Sequence, residues 1–287
     1  MTRFLQEGQE MKMREQATTH LAAAWKVAQK RTRIRVPRLT IGHAIPSLLA
    51  LLGYTLAGYA ADGESPRTHR VSRVKQPLAV EGEWHEVAWR TIKPITLRHF
   101  MGSQPDHFPH VQARVAYDDH AIYVMFHVAD RYVRAVAQKH QESVCLDSCV
   151  EFFFTPSEEA SKGYFNLEMN CGGTMLFHYQ NGQTNSSASI EQKDLERIEV
   201  AHNLPKIIDP EIEDPTDWTV AYRLPLELLK KYVSNGFDQP ASGVKWRANF
   251  YKCADETSHP HWLTWSKVES QGPNFHRPDQ FGILEFE

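Results

Sequence analysis

The sequence predicts an all-β chain: an antiparallel β-sandwich of jelly-roll type with one short helix near residues 225–233. Three observations lead there. Short runs with two-residue apolar alternation recur along the chain, turn residues separate them, and PLELLKKYV carries helical spacing. A chain of 287 residues is long enough for one large sandwich. VQARVAY and IYVMFHV alternate about Asp118-Asp119-His120 and read as a hairpin. A strand at 144–154, VCLDSCVEFFF, follows, and then YFNLEMN and TMLFHY around Gly172-Gly173. Residues 181–197 are polar and read as loop. WTVAYRL is a further alternating strand, Pro225 opens the helix at a favoured first-turn position, and KWRANFYKC and FGILEFE complete the set. There is no internal repeat and no second domain.

The net charge of −3 conceals an asymmetry. Residues 1–44 carry nine Lys/Arg against three Glu, a charge of +6, which leaves −9 on the remainder. So acidic a body argues against nucleic acid, whose phosphates need a basic face. The basic segment runs into IPSLLALLGYTLAGYA at 45–60, which has no charged residue. Together residues 1–60 read as a basic extension and a signal peptide cleaved after Ala60, so the chain is expected to be secreted, periplasmic or in the cell envelope. A membrane partner follows only if that apolar segment is retained as an anchor, and Pro46, Gly53 and Gly58 interrupt it. Residues 61–73 read as a linker and 74–287 as the sandwich.

Alternation along 144–154 places Asp147, Cys149 and Glu151 on one strand face. Acids there need partners, and three readings stand: a calcium ion, hydrogen bonds from a hydroxyl-rich ligand, or an ion pair with Arg114, Arg131 or Arg247. The four cysteines admit a Cys149–Cys171 disulfide or buried free thiols. HPHWLTW, residues 259–265, brings Trp262 and Trp265 to a loop, either as ligand platforms or as caps of the core. Arg247, Asn249 and Tyr251 share one face of KWRANFYKC, which suits hydroxyls or is simply solvated. His276 and Arg277 lie on the loop before the last strand, and His259, His261 and His276 form a weak zinc pattern. Trp84, Trp89, Trp218 and Trp246 read as core. No G-x-S-x-G, H-E-x-x-H or phosphate loop is present, and no paired carboxylates mark a hydrolase.

DSCVEFFFTP and GYFNLEMNCGGT, together with EGEWHEVAW, YDDHAIYVMFHVADRYV, WTVAYRLPLELL, WRANFYKC, HWLTWS and FHRPDQFGILEFE, occur in order over residues 74–287. This series resembles the family 9 carbohydrate-binding modules, in their stand-alone branch. The resemblance implies a β-sandwich that binds carbohydrate without catalysis and supports glycan degradation as a glycoside-hydrolase accessory. It also implies an aromatic clamp and a structural calcium near Asp130 and Asp147. Glu151, Arg247, Asn249, Trp262, Trp265, His276 and Arg277 are the carbohydrate-binding candidates. The alternatives are a haem-binding, cytochrome-like sandwich using a Met and a His such as Met125 and His127, and a domain with hydrolytic activity of its own.

Overall fold

The computed structural model describes residues 67–287 except 185, 234 and 235. The basic extension, the apolar run at 45–60 and its cleavage site therefore lie outside the described residues. Sixteen strands appear among the described residues. In chain order they are β1 (Thr68–Arg73), β2 (Ile95–Thr96), β3 (His99–Phe100), β4 (His110–Tyr117), β5 (Ala121–Asp130) and β6 (Val133–Ala135). Then come β7 (Cys149–Thr155), β8 (Tyr164–Asn170), β9 (Met175–Asn181), β10 (Ser186–Ser189), β11 (Glu199–His202) and β12 (Ile208–Ile212). The last four are β13 (Thr216–Pro225), β14 (Lys245–Cys253), β15 (Trp262–Thr264) and β16 (Gly282–Phe286). Helices are short: α1 (Val87–Arg90), α2 (Gln192–Leu195) and α3 (Leu226–Tyr232).

One layer runs β10-β9-β8-β7-β14-β16 and the other β4-β5-β13-β11, with β1 joining them. Thr68–Val71 pair in parallel with Ile283–Phe286 of β16, and Ser72 and Arg73 pair in parallel with Ala116 and Tyr117 of β4. A sheet that curls through one shared strand loses two of its free edges, which would otherwise invite pairing between chains. This corrects two expectations. Residues 68–73 are part of the sandwich rather than linker, and the otherwise antiparallel pairing is parallel on both sides of β1. THRVSR hid this role because only His69 and Val71 of the strand are buried.

Alternation places the core where the sequence put it. Val150, Phe152 and Phe154 of β7, Phe165, Leu167 and Met169 of β8, and Trp246 and Phe250 of β14 point inward. They meet Val111 and Val115 of β4, Val124 and Phe126 of β5, and Trp218 and Tyr222 of β13 in one apolar cluster. α3 adds Leu226, Leu228 and Leu229 to it. Trp84 and Trp89 pack over the outside of the second layer with Tyr123, Met125 and Ala221. Met125 is thus fully buried in packing and His127 stacks on Trp84 at 5.3 Å, an arrangement that gives the haem alternative no support.

Two further expectations change. Residues 181–197 are not all loop but include β10 and α2. The acid-bearing strand starts only at Cys149, because Val144–Leu146 form a 3-10 turn. Asp147 explains the break. Its carboxylate accepts the backbone N–H groups of Val136 and Ala137 and the Asn170 amide, which draws the chain off the sheet.

Candidate functional site

On the outside of the first layer, β7, β8 and β14 present a second, partly polar face. Strand register sets Glu151 of β7 directly opposite Glu168 of β8 on one side and Tyr251 of β14 on the other. Segments on either side of β15 fold over this face. Phe275 stacks on Tyr251 at 4.1 Å between ring centroids, and Phe281 and Val268 complete an apolar seal with Phe153 and Met101. Where the seal stops, a cleft of about 200 Å³ remains, lined by Glu151, Glu168, Phe153, Asp255, Trp262 and His276 together with Cys145, Cys253 and residues 273–275.

Trp262 forms a wall of this cleft. Its ring is partly exposed, and its Nε1–H donates to Asp255 Oδ1 at 2.8 Å, which fixes the plane of the indole. Opposite chain segments supply His276, exposed and 2.7 Å from the Tyr164 hydroxyl through Nδ1, and Asn274, whose side chain accepts the His276 N–H. An aromatic plane beside carboxylates, an imidazole and an amide offers an apolar C–H contact and several hydrogen-bond partners in one small space.

The cleft carries excess acid. Among the described residues, no lysine or arginine lines it. Burial raises the Glu168 carboxyl to about 7, helped by the Asp255 charge and opposed by the hydrogen bond from Asn166. Glu151 is pushed well above the usual carboxylate range by burial and then by Glu168, although the Cys253 thiol donates to its Oε1 at 3.0 Å. Burial also raises Asp255, partly offset by the Trp262 hydrogen bond. Desolvated like charges facing each other favour the protonated forms, so this floor presents both O–H donors and acceptors near neutral pH.

Of the expected site residues, the structure brings Glu151, Trp262 and His276 together at this cleft. It does not bring the others. Trp265 is only 4% exposed, sits edge-on to Phe250 in the main core and cannot stack on a ligand. Asn249 is fully buried, and its side-chain amide is used by the backbone of Ser266 and Phe250. Arg247 donates to the carbonyls of Glu158 and Phe281 outside the cleft. Arg277 is paired with Asp279 and with the Glu269 carbonyl.

The calcium expectation meets a poor fit. Asp130 accepts from His107, Trp218 Nε1 and the Arg131 N–H, and the fully buried Lys252 ammonium stands 3.4 Å from its Oδ2. A cation already compensates this carboxylate. Asp147 is surrounded by backbone and Asn170 donors and by Arg134 at 3.4 Å. Neither donor set leaves room for a hard divalent ion. The histidine trio does not form either, since His261 lies between Lys252 and the His259 carbonyl while His276 contacts Tyr164. All four cysteines are free, so the Cys149–Cys171 disulfide is also absent.

Glu168, Asp255 and Phe153 were missed. A signal for Glu168 existed: Asn166 and Glu168 alternate against Phe165, Leu167 and Met169 in the strand next to that of Glu151. Asp255 carries no such mark, because a turn rather than a strand delivers it.

Carbohydrate-binding family 9 matches the chain over residues 82–286. A Bacteroides uniformis crystal structure, of a protein provisionally assigned as carbohydrate-binding, is 28% identical with a TM-score of 0.69 and covers 78% of this chain and all of its own. Two structures of a family 9 module from Caldicellulosiruptor kristjanssonii, with cellotriose and with glucose, are 14% and 13% identical. Both have a TM-score of 0.49 and cover 77% of this chain and 94% and 96% of their own. No curated protein matches the chain. The family match spans β2 to β16, both layers and every residue of the cleft, and the chain belongs to carbohydrate-binding family 9.

Proposed function

We propose that the chain holds carbohydrate in the cleft between Trp262 and His276, over the carboxyls of Glu151 and Glu168, and does so without catalysis. The observation that carries this reading is the Trp262 indole, partly exposed and pinned by Asp255 at the edge of the acid-floored cleft on the outer face of the first layer. A volume of about 200 Å³ is below the ~300 Å³ at which pockets for drug-sized ligands begin, so the cleft has room for a short glycan unit of about one ring. Binding without catalysis accords with the family 9 match, which spans the whole cleft.

The wider role follows from what such a binder does: it keeps a glycan-degrading system on its substrate. Export, suggested by the basic and apolar N-terminal sequence, belongs to the same proposal. Calorimetric titration of the full-length chain with mono- and oligosaccharides is the test. Saturable binding is expected, and Trp262→Ala should weaken it by about 2 kcal/mol or more if the indole is the stacking platform. Unchanged affinity in Trp262→Ala, with the fold intact, would move the binding site elsewhere.

A further inference from the structure

Three donors meet beneath the cleft. Cys149 and Cys253 are directly opposite each other in the antiparallel β7–β14 pair, and both point to the outer face beside Glu151. The two Sγ atoms and a Glu151 carboxylate oxygen all lie within 4.8 Å of one another. These residues are 0%, 1% and 2% exposed, so the donors are desolvated and held by sheet register rather than by a mobile loop. Cys171, by contrast, donates to the Arg134 carbonyl away from this group.

We propose that Cys149, Cys253 and Glu151 form a binding site for a thiophilic divalent cation of the zinc class, beneath the glycan cleft. A tetrahedral centre with metal–sulfur bonds of 2.3 Å separates its sulfur ligands by roughly 3.8 Å, so the present spacing closes with small side-chain rotations. Two thiolates and a carboxylate are a soft, anionic set that selects zinc-like ions over calcium or magnesium. Cys253 and Glu151 themselves line the cleft, and the cleft supplies the remaining coordination position. Three protein ligands with one open position are the arrangement of zinc sites that take an exogenous ligand.

Charge permits the same occupant. The cleft holds Glu151, Glu168 and Asp255 with no lysine or arginine along its described lining, while Lys252 points to the other face, toward Asp130 and His261. Release of two thiol protons balances the charge of the dication, so binding beside an ionised Glu151 adds no net charge to this acidic cleft. Binding expels the two thiol protons, and the Glu151 proton where it is present, so occupancy increases with pH.

This site does not rest on the sugar reading, and its test needs no glycan. The full-length chain is reduced with a phosphine, stripped with chelator, freed of chelator and titrated with Co²⁺ as an optical probe. One equivalent should produce a thiolate-to-cobalt charge-transfer band, displaced by Zn²⁺ and not by Ca²⁺. The band should vanish in Cys149→Ser and in Cys253→Ser and stay unchanged in Cys171→Ser. Glu151→Gln should keep thiolate absorption but bind at least tenfold more weakly. No band from the reduced, folded parent overturns the proposal, whatever the variants do. So does a band that survives loss of both Cys149 and Cys253, and so does a Cys149–Cys253 disulfide that resists the phosphine.

Discussion

Removing the charge of Glu168 should stabilise the metal-free chain, against the usual direction of a substitution at a buried polar residue. Glu168 faces Glu151 across neighbouring strands, and its carboxyl is raised from 4.5 to about 7 by burial, with Asp255 adding to the effect. An acid with a raised value in the folded state binds protons more tightly there than in the unfolded chain. Its contribution is therefore intact below about pH 4.5, and it is lost as pH rises from there through about 7. A difference of that size corresponds to about 3 kcal/mol at alkaline pH, shared with Glu151 because the two carboxyls titrate together. Glu168→Gln keeps the oxygen that accepts from Asn166 Nδ2 and adds an N–H facing Glu151. Urea unfolding with chelator should show Glu168→Gln more stable than the parent by about 1–3 kcal/mol near pH 8.5, and within about 0.5 kcal/mol of it near pH 4. Equal destabilisation at both pH values would refute the reasoning, because it would mean that shape and hydrogen bonding, not charge, govern the site.

The remaining expectations separate core from cleft. Trp265→Ala should lower stability by about 3–5 kcal/mol in thermal or urea unfolding, because it empties a buried site against Phe250. Below its unfolding temperature the same variant should bind glycan like the parent, opposite to Trp262→Ala. Lys252→Met leaves Asp130 buried without its cation and should cost about 3–5 kcal/mol, much of it recovered in Lys252→Met with Asp130→Asn, as a double-mutant cycle will show. Burial alone would raise Asp130, but Lys252 and His107 hold it well below the usual carboxylate range. Its stabilisation is present above the ordinary Asp value and is lost as pH falls further toward the folded one, so the acid limb of the stability profile should flatten in Asp130→Asn.

How far the sequence could be read depended on whether a residue's partner was local. The hairpin at 118–120, the β8–β9 turn at Gly172-Gly173 and the short helix after Pro225 are set by neighbours, and they stand where alternation and turn chemistry put them. β1 escaped because its pairing partners lie more than forty residues away in β4 and at the far end of the chain in β16. Asp147 was misplaced for the same reason: the N–H groups that its carboxylate captures belong to Val136 and Ala137, in a segment the alternation pattern does not connect to it. Trp262 and Trp265 were distinguishable in principle. Three residues apart in extended chain, they face opposite ways, one toward the outer cleft and one toward the core. Asn249 and Tyr251 do point to the outer face, as the alternation required, but sequence does not show that the segment after β15 lies over them.

That covering segment explains why the site sits where it does. Phe152, Phe154, Phe250 and Trp246 fill the interior of the sandwich. The acid-floored opening lies on the outside, where the cover ends between Phe275 and Trp262 and two strands bring their acids face to face. An outer face sealed throughout by residues like Phe275 and Val268 would be more stable and would bind nothing. Glu151 and Glu168 interrupt the seal at a cost to folding that grows with pH. Either a hydroxyl-rich ring above them or a cation on Glu151, Cys149 and Cys253 offsets that cost. Stability measured with saturating glycan, and separately with Zn²⁺, should thus rise most at alkaline pH, where the empty cleft is least favourable. A ligand-induced gain that is flat between about pH 4 and 8.5 would show that neither ligand engages these carboxyls.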